Sequence, residues 1–199
     1  MSKRRGYKRV DGAFRDRRTF VIVPEGAVTE VDYFTKLAAK QRRVRVLPLP
    51  PPDRTSSAPV HALRRAIDFV TQGQLERDDQ LWIVLDTDRW SEKQLMEVRR
   101  ACDDKGWGLT ISNPCFELWL YLHFADLPED FDGGSKEMKT ALKEVCAANN
   151  GYRPEEAVKN LHLAIERAAS LDTRKDHLLP PRNVTQVYRL AQAIQEFLE

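Results

Sequence analysis

Three acidic residues in this chain have the type and spacing to do chemistry with a metal ion: Glu25, followed at once by Gly26, and the pair Asp86 and Asp88 separated by Thr87. Residues two apart on an extended segment point the same way, so Asp86 and Asp88 can approach one hard cation together while Thr87 turns aside. Oxygen donors of this kind suit Mg²⁺ or Mn²⁺. A DxD pair is common on protein surfaces, where an aspartate often only caps a helix or a turn. Here it terminates a buried-looking apolar run, Leu81-Trp82-Ile83-Val84-Leu85, and capping would leave Glu25 unexplained.

The elements that must position these residues are legible around them. Thr19 to Val23 is short, β-branched and apolar on both faces, as a strand buried in a parallel sheet should be. A helix on Val31, Phe34, Leu37 and Ala38 follows over Val28 to Lys40. Val44 to Leu49 reads as a second strand, and the four prolines between Pro48 and Ser57 as a loop. A helix over Val60 to Val70 should face inward through Leu63, Ile67 and Val70. Leu81 to Leu85 is a third strand. Ser91 with Gln94 makes a capping-box pattern that opens a helix reaching about Asp104. Gly108 to Ser112 is a fourth strand, broken by Asn113-Pro114 before a packed helix over Phe116 to Leu122. The rest reads as helices over Ser135 to Ala148, Glu155 to Ser170 and, with Asn183 as cap and Gln186 three residues on, Val184 to Leu198; no fifth strand is expected.

Alternating strands and helices imply right-handed crossovers and a Rossmann-like α/β architecture. Its central parallel sheet of about four strands is flanked by helices, with the ligand crevice at the carboxyl ends of the strands. Glu25 lies just past the end of the first strand and Asp86 and Asp88 just past the third, so all three face one rim. Gly26 permits a tight turn and close approach of a phosphate to the backbone, and the helix after it aims its positive end at the rim. Glu30, in the first turn of that helix, is either a second-site metal ligand or a favourable charge at the helix dipole. Glu117 sits in a mostly apolar segment, where a carboxylate is costly unless paired or metal-bound. It is expected to belong to the site.

Composition bounds the rest. At 199 residues the chain suits one domain, and 42% hydrophobic with 31% charged residues describes an ordinary globular protein with no apolar run long enough to span a membrane. Residues 1–18 carry eight Lys/Arg against Asp11 and Asp16. They form a basic tail that either sits on phosphates or is simply solvated. No apolar stretch follows that tail to make a secretory signal, and Cys102, Cys115 and Cys146 show no CxxC spacing. A cytoplasmic protein with three small core cysteines is expected. His123, between Leu122 and Phe124, is expected to be a core group, as are Trp82, Trp107 and Trp119, while Trp90 stands close enough to the DxD to contact substrate.

The strand ending in Glu25-Gly26, the Asp86-Thr87-Asp88 turn and the block Asn113-Pro114-Cys115-Phe116-Glu117-Leu118-Trp119 together resemble the RloB family of Toprim-like proteins. The resemblance takes in Thr29-Glu30 with Tyr33-Phe34, Leu122-His123-Phe124 and Asn183-Val184-Thr185, and so covers most of the chain. A cysteine is usual where Pro24 stands, and a serine where Cys115 stands; neither position is expected to bind metal. The resemblance implies a Toprim-like domain over 19–199, with a helical C-terminal part from about 124. In such a domain the first glutamate, Glu25, works as general acid/base while Asp86 and Asp88 hold Mg²⁺ (or Mn²⁺). It further implies a metal-dependent nuclease acting on DNA or RNA, including tRNA, within restriction or phage-defence loci and alongside an ATPase partner.

For that chemistry, Glu30 or Glu117 would serve a second metal, and Arg89, Lys93, Arg54 and Arg182 are the phosphate-contact candidates by position. Two rivals stand beside it. A DxD nucleotidyl- or glycosyltransferase would also bind Mg²⁺, yet would have no use for Glu25-Gly26. A non-catalytic subunit would use the acidic rim and helical end only to dock an ATPase. The first strand of a haloacid-dehalogenase-type phosphatase should end in a nucleophilic aspartate, and here it ends in Glu25. GxGxxG, P-loop and HExxH patterns are absent from the sequence.

Overall fold

Strand β1 (Arg18–Pro24) is buried along nearly its whole length, with Phe20 and Ile22 facing one side and Val21 and Val23 the other. That double burial is why it reads as continuous hydrophobic sequence. The computed structural model describes residues 17–39, 43–52, 57–174 and 177–197. Helix α1 (Thr29–Ala38) follows β1, then β2 (Val44–Pro48), α2 (Pro59–Thr71), β3 (Gln80–Asp86), α3 (Glu92–Lys105) and β4 (Gly108–Asn113). The sheet order is β2-β1-β3-β4-β5, with the first three pairings parallel. The expected Ser91–Gln94 capping box starts α3, and Gly106 ends it in the left-handed conformation that glycine tolerates. Residues 1–16, and with them most of the basic tail, lie outside the described residues, as does Arg54.

A short helix α4 (Phe116–Tyr121) follows the cis Asn113-Pro114 bond, and α5 (Ser135–Val145), α6 (Pro154–Lys159), α7 (Leu161–Leu171) and α8 (Val187–Gln195) complete the chain. The single helix expected over 155–170 is divided at Asn160, a residue whose side chain competes with helical hydrogen bonding. A fifth strand, β5 (Val184–Thr185), pairs antiparallel with the end of β4, where none was expected. It is only two residues long, too short to show a period. What holds it is tertiary: Ser112 and Thr185 share a buried hydroxyl hydrogen bond of 2.9 Å, and the Gln186 amide donates to the Ile111 carbonyl at 3.0 Å. Asn183 is consequently not a helix cap. It adopts a φ of 64° and spends its side chain on the Phe131 carbonyl, and α8 begins only at Val187.

Helix α2 is turned somewhat from the expected face. Ala62, Ala66 and Phe69 are buried and Leu63 and Val70 pack partly against the second core as expected, while Ile67 is 39% and Val60 50% exposed. The small alanines let the helix lie close to β1, β3 and α3, and Phe69 fills the remaining space. This rotation aims Arg65 at the end of β1, where its guanidinium donates to the Pro24 carbonyl at 2.6 Å.

The two sides of the sheet carry separate cores. One gathers Phe20, Tyr33, Phe34, Phe116, Trp119 and the inner faces of α5, α7 and α8; the other gathers Val21, Ile83, Leu85, Leu95, Val98 and Ile111 under α2 and α3. His123 is fully buried in the first. Its Nδ1 meets the Trp119 carbonyl at 2.9 Å and so carries the proton, which leaves Nε2 to accept from the Tyr33 hydroxyl at 3.1 Å. Burial pushes this imidazole down to about 4, so it stays neutral, a core group as expected. The three cysteines are buried and free, and burial pushes the Cys102 thiol up to about 12. Trp119 is fully buried, and Trp82 and Trp107 are partly buried against the two cores.

Candidate active site

Parallel strands end together, and here their carboxyl ends form the floor of a cavity of about 300 Å³ lined by Glu25, Gly26, Glu30, Asp86, Asp88, Arg89, Glu117 and Lys139. Glu25 is the first residue past β1, its amide still donating to the Val84 carbonyl at 2.9 Å. Its carboxylate then turns across to accept from the Asp86 amide at 3.1 Å, which locks the ends of β1 and β3 to each other. Asp86 and Asp88 both line the cavity. The strand ends at Asp86, and Thr87 and Asp88 lie in the turn that follows it: the Thr87 amide donates to the Ser112 carbonyl at 3.0 Å, and both Thr87 and Asp88 line an adjoining groove.

The charge balance is the site's main physical feature. Burial pushes Glu25 up to about 7, helped by the charges of Asp88 and Glu30 and opposed by the Asp86 amide and the Trp90 indole. Asp86 is driven well above the usual carboxylate range by burial, and after that by Glu25, Glu30, Glu117 and Asp88. Glu30 is raised by burial and by Glu117, while Lys139 pulls it back. Five carboxylates thus crowd one cavity, a cost that protons or a bound cation can relieve.

The donor set has the chemistry of a hard-cation site. Among the described residues no three acidic, histidine or cysteine groups stand close enough to ligate one ion jointly. Asp86, Asp88, Glu30 and Glu117 all line the one cavity.

Glu30 has a structural duty too. Its carboxylate accepts from the Gly26 amide at 3.0 Å, and a Cβ on residue 26 would land on that carboxylate. Gly26 is needed for this close approach rather than for any left-handed backbone. Gly26→Ala should therefore swing Glu30 out of place while leaving the melting temperature nearly unchanged. If Glu30 helps to hold a cation there, apparent Mn²⁺ affinity read by calorimetric titration should fall about tenfold, as for loss of a group that orients a ligand; unaltered affinity would take Glu30 out of that role.

The basic candidates separate. Arg89 lines the cavity. Arg182 does not: it pairs with Asp132 at 2.8 Å and lines the adjoining groove, which meets the cavity at Asp88. Lys93 projects to solvent from the first turn of α3, because that helix leaves the rim as it begins, and it lines neither hollow. Trp90 is turned inward, packed partly against the second core with its indole nitrogen buried. Two basic residues at the site carried no signal in the sequence. Arg65 reaches it from α2, and Lys139 reaches it from α5, its Nζ 3.7 Å from a Glu117 oxygen. Both depend on how distant helices pack.

Sheet order, strand direction and acidic rim define a Toprim-like α/β protein whose crevice lies at the carboxyl ends of its parallel strands. The RloB-like protein family matches residues 20–194, and the chain belongs to that family. Comparison with curated proteins and with solved structures gave no match. Of the family departures noted above, Pro24 is a buried strand residue whose carbonyl holds Arg65, and Cys115 is fully buried under the site. Among the described residues no helix is long and apolar enough to cross a membrane.

Proposed function

We propose that this protein is a Mg²⁺- or Mn²⁺-dependent nuclease that hydrolyses phosphodiester bonds in DNA or RNA. The single observation carrying this is the convergence of five carboxylates on one cavity at the strand ends, with Glu25 held near neutrality. Asp86 and Asp88 would hold the ion, which when bound would neutralise charge developing on the phosphate. Glu25 is suited to take a proton from the attacking water, because a base works best when its pKa lies near the operating pH. The Asp86 amide fixes the direction of that carboxylate, and Arg65, holding the preceding carbonyl, fixes the backbone beneath it. Arg89 is the guanidinium placed to meet a phosphate oxygen.

In this reading the chain is the effector of a restriction or phage-defence pair whose ATPase partner governs when it cuts, a role that family membership supports. The test is cleavage of labelled tRNA and plasmid DNA by the purified chain, with and without divalent metal, comparing wild type with Asp86→Ala and Glu25→Gln. Metal-dependent cutting lost in both variants is expected. If instead the assembled system with its ATPase works equally well carrying Glu25→Gln, the chain is a docking subunit and not a nuclease.

A further inference from the structure

Helix α5 is amphipathic in an uncommon way. Met138 and Leu142 point inward, and Lys136, Lys139 and Lys143 recur at i, i+3 and i+7 along a single exposed face, while Glu137 and Glu144 fall to one side of it. A lysine stripe on a helix is most often only a solvated face. This one differs because its middle member enters the acidic cavity: Lys139 lines it and pairs with Glu117 at 3.7 Å. One turn back, Lys136 lines the adjoining groove, and the two hollows share Asp88 as a common wall. Lys143 continues the same exposed face one turn beyond Lys139, so Lys136 and Lys143 flank Lys139 along the helix. Their steps along the helix axis are about 4.5 and 6 Å, a scale on which side chains as long as lysine can meet successive phosphates.

We propose that the lysine face of α5 is the track for the nucleic-acid strand that is cut. Lys139 meets the phosphate in the cavity and Lys136 and Lys143 meet phosphates to either side. This rests on the nuclease reading above and adds to it that the substrate is a strand extending past the cavity in both directions, not a dinucleotide or a free nucleotide. Lys139 pairs with Glu117 at 3.7 Å before substrate arrives, and its ammonium then passes to a phosphate oxygen, an exchange of one oxyanion for another.

The experiment uses the full chain and a labelled single-stranded oligonucleotide. Binding is followed against salt concentration with Ca²⁺ in place of Mg²⁺, and cleavage with Mg²⁺. Each phosphate contact on a single strand contributes about 0.7 to the slope of log affinity against log salt. The Lys136→Gln/Lys143→Gln double variant should therefore lose about 1.4 from that slope and bind on the order of tenfold more weakly. Lys139→Gln should lower kcat as well. Lys105→Gln, at the opposite end of the sheet, should change neither. An unaltered slope in the double variant, with wild type cleaving normally, would overturn the track and leave the nuclease standing. Failure of wild type to bind or cleave in any divalent metal, both alone and assembled with its ATPase partner, would overturn both.

Discussion

Replacing Glu25 with glutamine is expected to abolish cleavage and, in the absence of divalent metal, to make the protein more stable. The folded-state value near 7 against 4.5 for an ordinary glutamate means that the native protein binds the extra proton between those two pH values. Stability from this group is therefore undiminished below about pH 4.5, falls as pH rises through the window, and stays reduced above about pH 7. At about pH 8 the whole cost applies, on the order of 3 kcal/mol, which for a protein this size corresponds to roughly 6–12 °C in melting temperature. Glutamine removes the charge and keeps an oxygen for the Asp86 amide, so the bond at 3.1 Å has a donor and acceptor in the variant as well.

Two controls separate this from generic stabilisation. Near pH 4 the curves of wild type and variant should converge, since Glu25 is then protonated in both states. Mg²⁺ should raise the melting temperature of wild type more than that of the variant, because an ion bound only to the native state stabilises in proportion to its affinity. A variant no more stable than wild type at high pH would mean that Glu25 is not the strained carboxylate described above, and its assignment as base would fall with it.

How far the site could be read from sequence follows from what each residue depends on. Glu25, Asp86 and Asp88 sit where apolar β-branched runs stop, and a parallel sheet brings such stops to one rim, so local pattern suffices for them. Glu30 and Glu117 are one step harder. Each lies on a helix directly after a strand end, and short connections keep both at the cavity. Lys139 and Arg65 depend on how α5 and α2 pack, which no period in the sequence encodes. Lys93, near the DxD in sequence, is exposed on the first turn of α3 and lines neither hollow, since nearness in sequence does not fix where a helical side chain points.

The same distinction explains the fold. α2 was expected to bury Leu63, Ile67 and Val70, yet Ala62, Ala66 and Phe69 sit deepest, Leu63 and Val70 pack beside them and Ile67 turns outward. A two-residue strand such as β5 is invisible to periodicity and exists because Ser112 and Thr185 find each other. The segment leading into it lies beside the groove that adjoins the cavity: Asn113 at the end of β4 donates to the Pro180 carbonyl at 3.0 Å, and Arg182 pairs with Asp132.

What anchors that segment at its start is Asp172, and Asp172→Ala is expected to be among the most destabilising changes in the molecule. The residue ends α7, is 1% exposed, and accepts from the Tyr188 hydroxyl and the Arg189 guanidinium of α8, both at 2.8 Å, with His177 Nε2 at 3.3 Å from its other oxygen. Removing it takes away the buried carboxylate to which both the Tyr188 hydroxyl and the Arg189 guanidinium, 29% exposed on its side chain, donate. Breaking a fully buried pair costs about 3–5 kcal/mol, and the partial access of Arg189 to water brings the expected loss to about 2–3 kcal/mol. Asp172→Asn should cost less, because its amide oxygen still accepts one of the two bonds. Since α8 shares a core with Phe20 of β1 and Trp119 of α4, the loss should appear as one cooperative transition moved to lower temperature in calorimetry. Two separated transitions would instead show α7 and α8 to be an independently folding layer, and the acidic rim would then owe nothing to them.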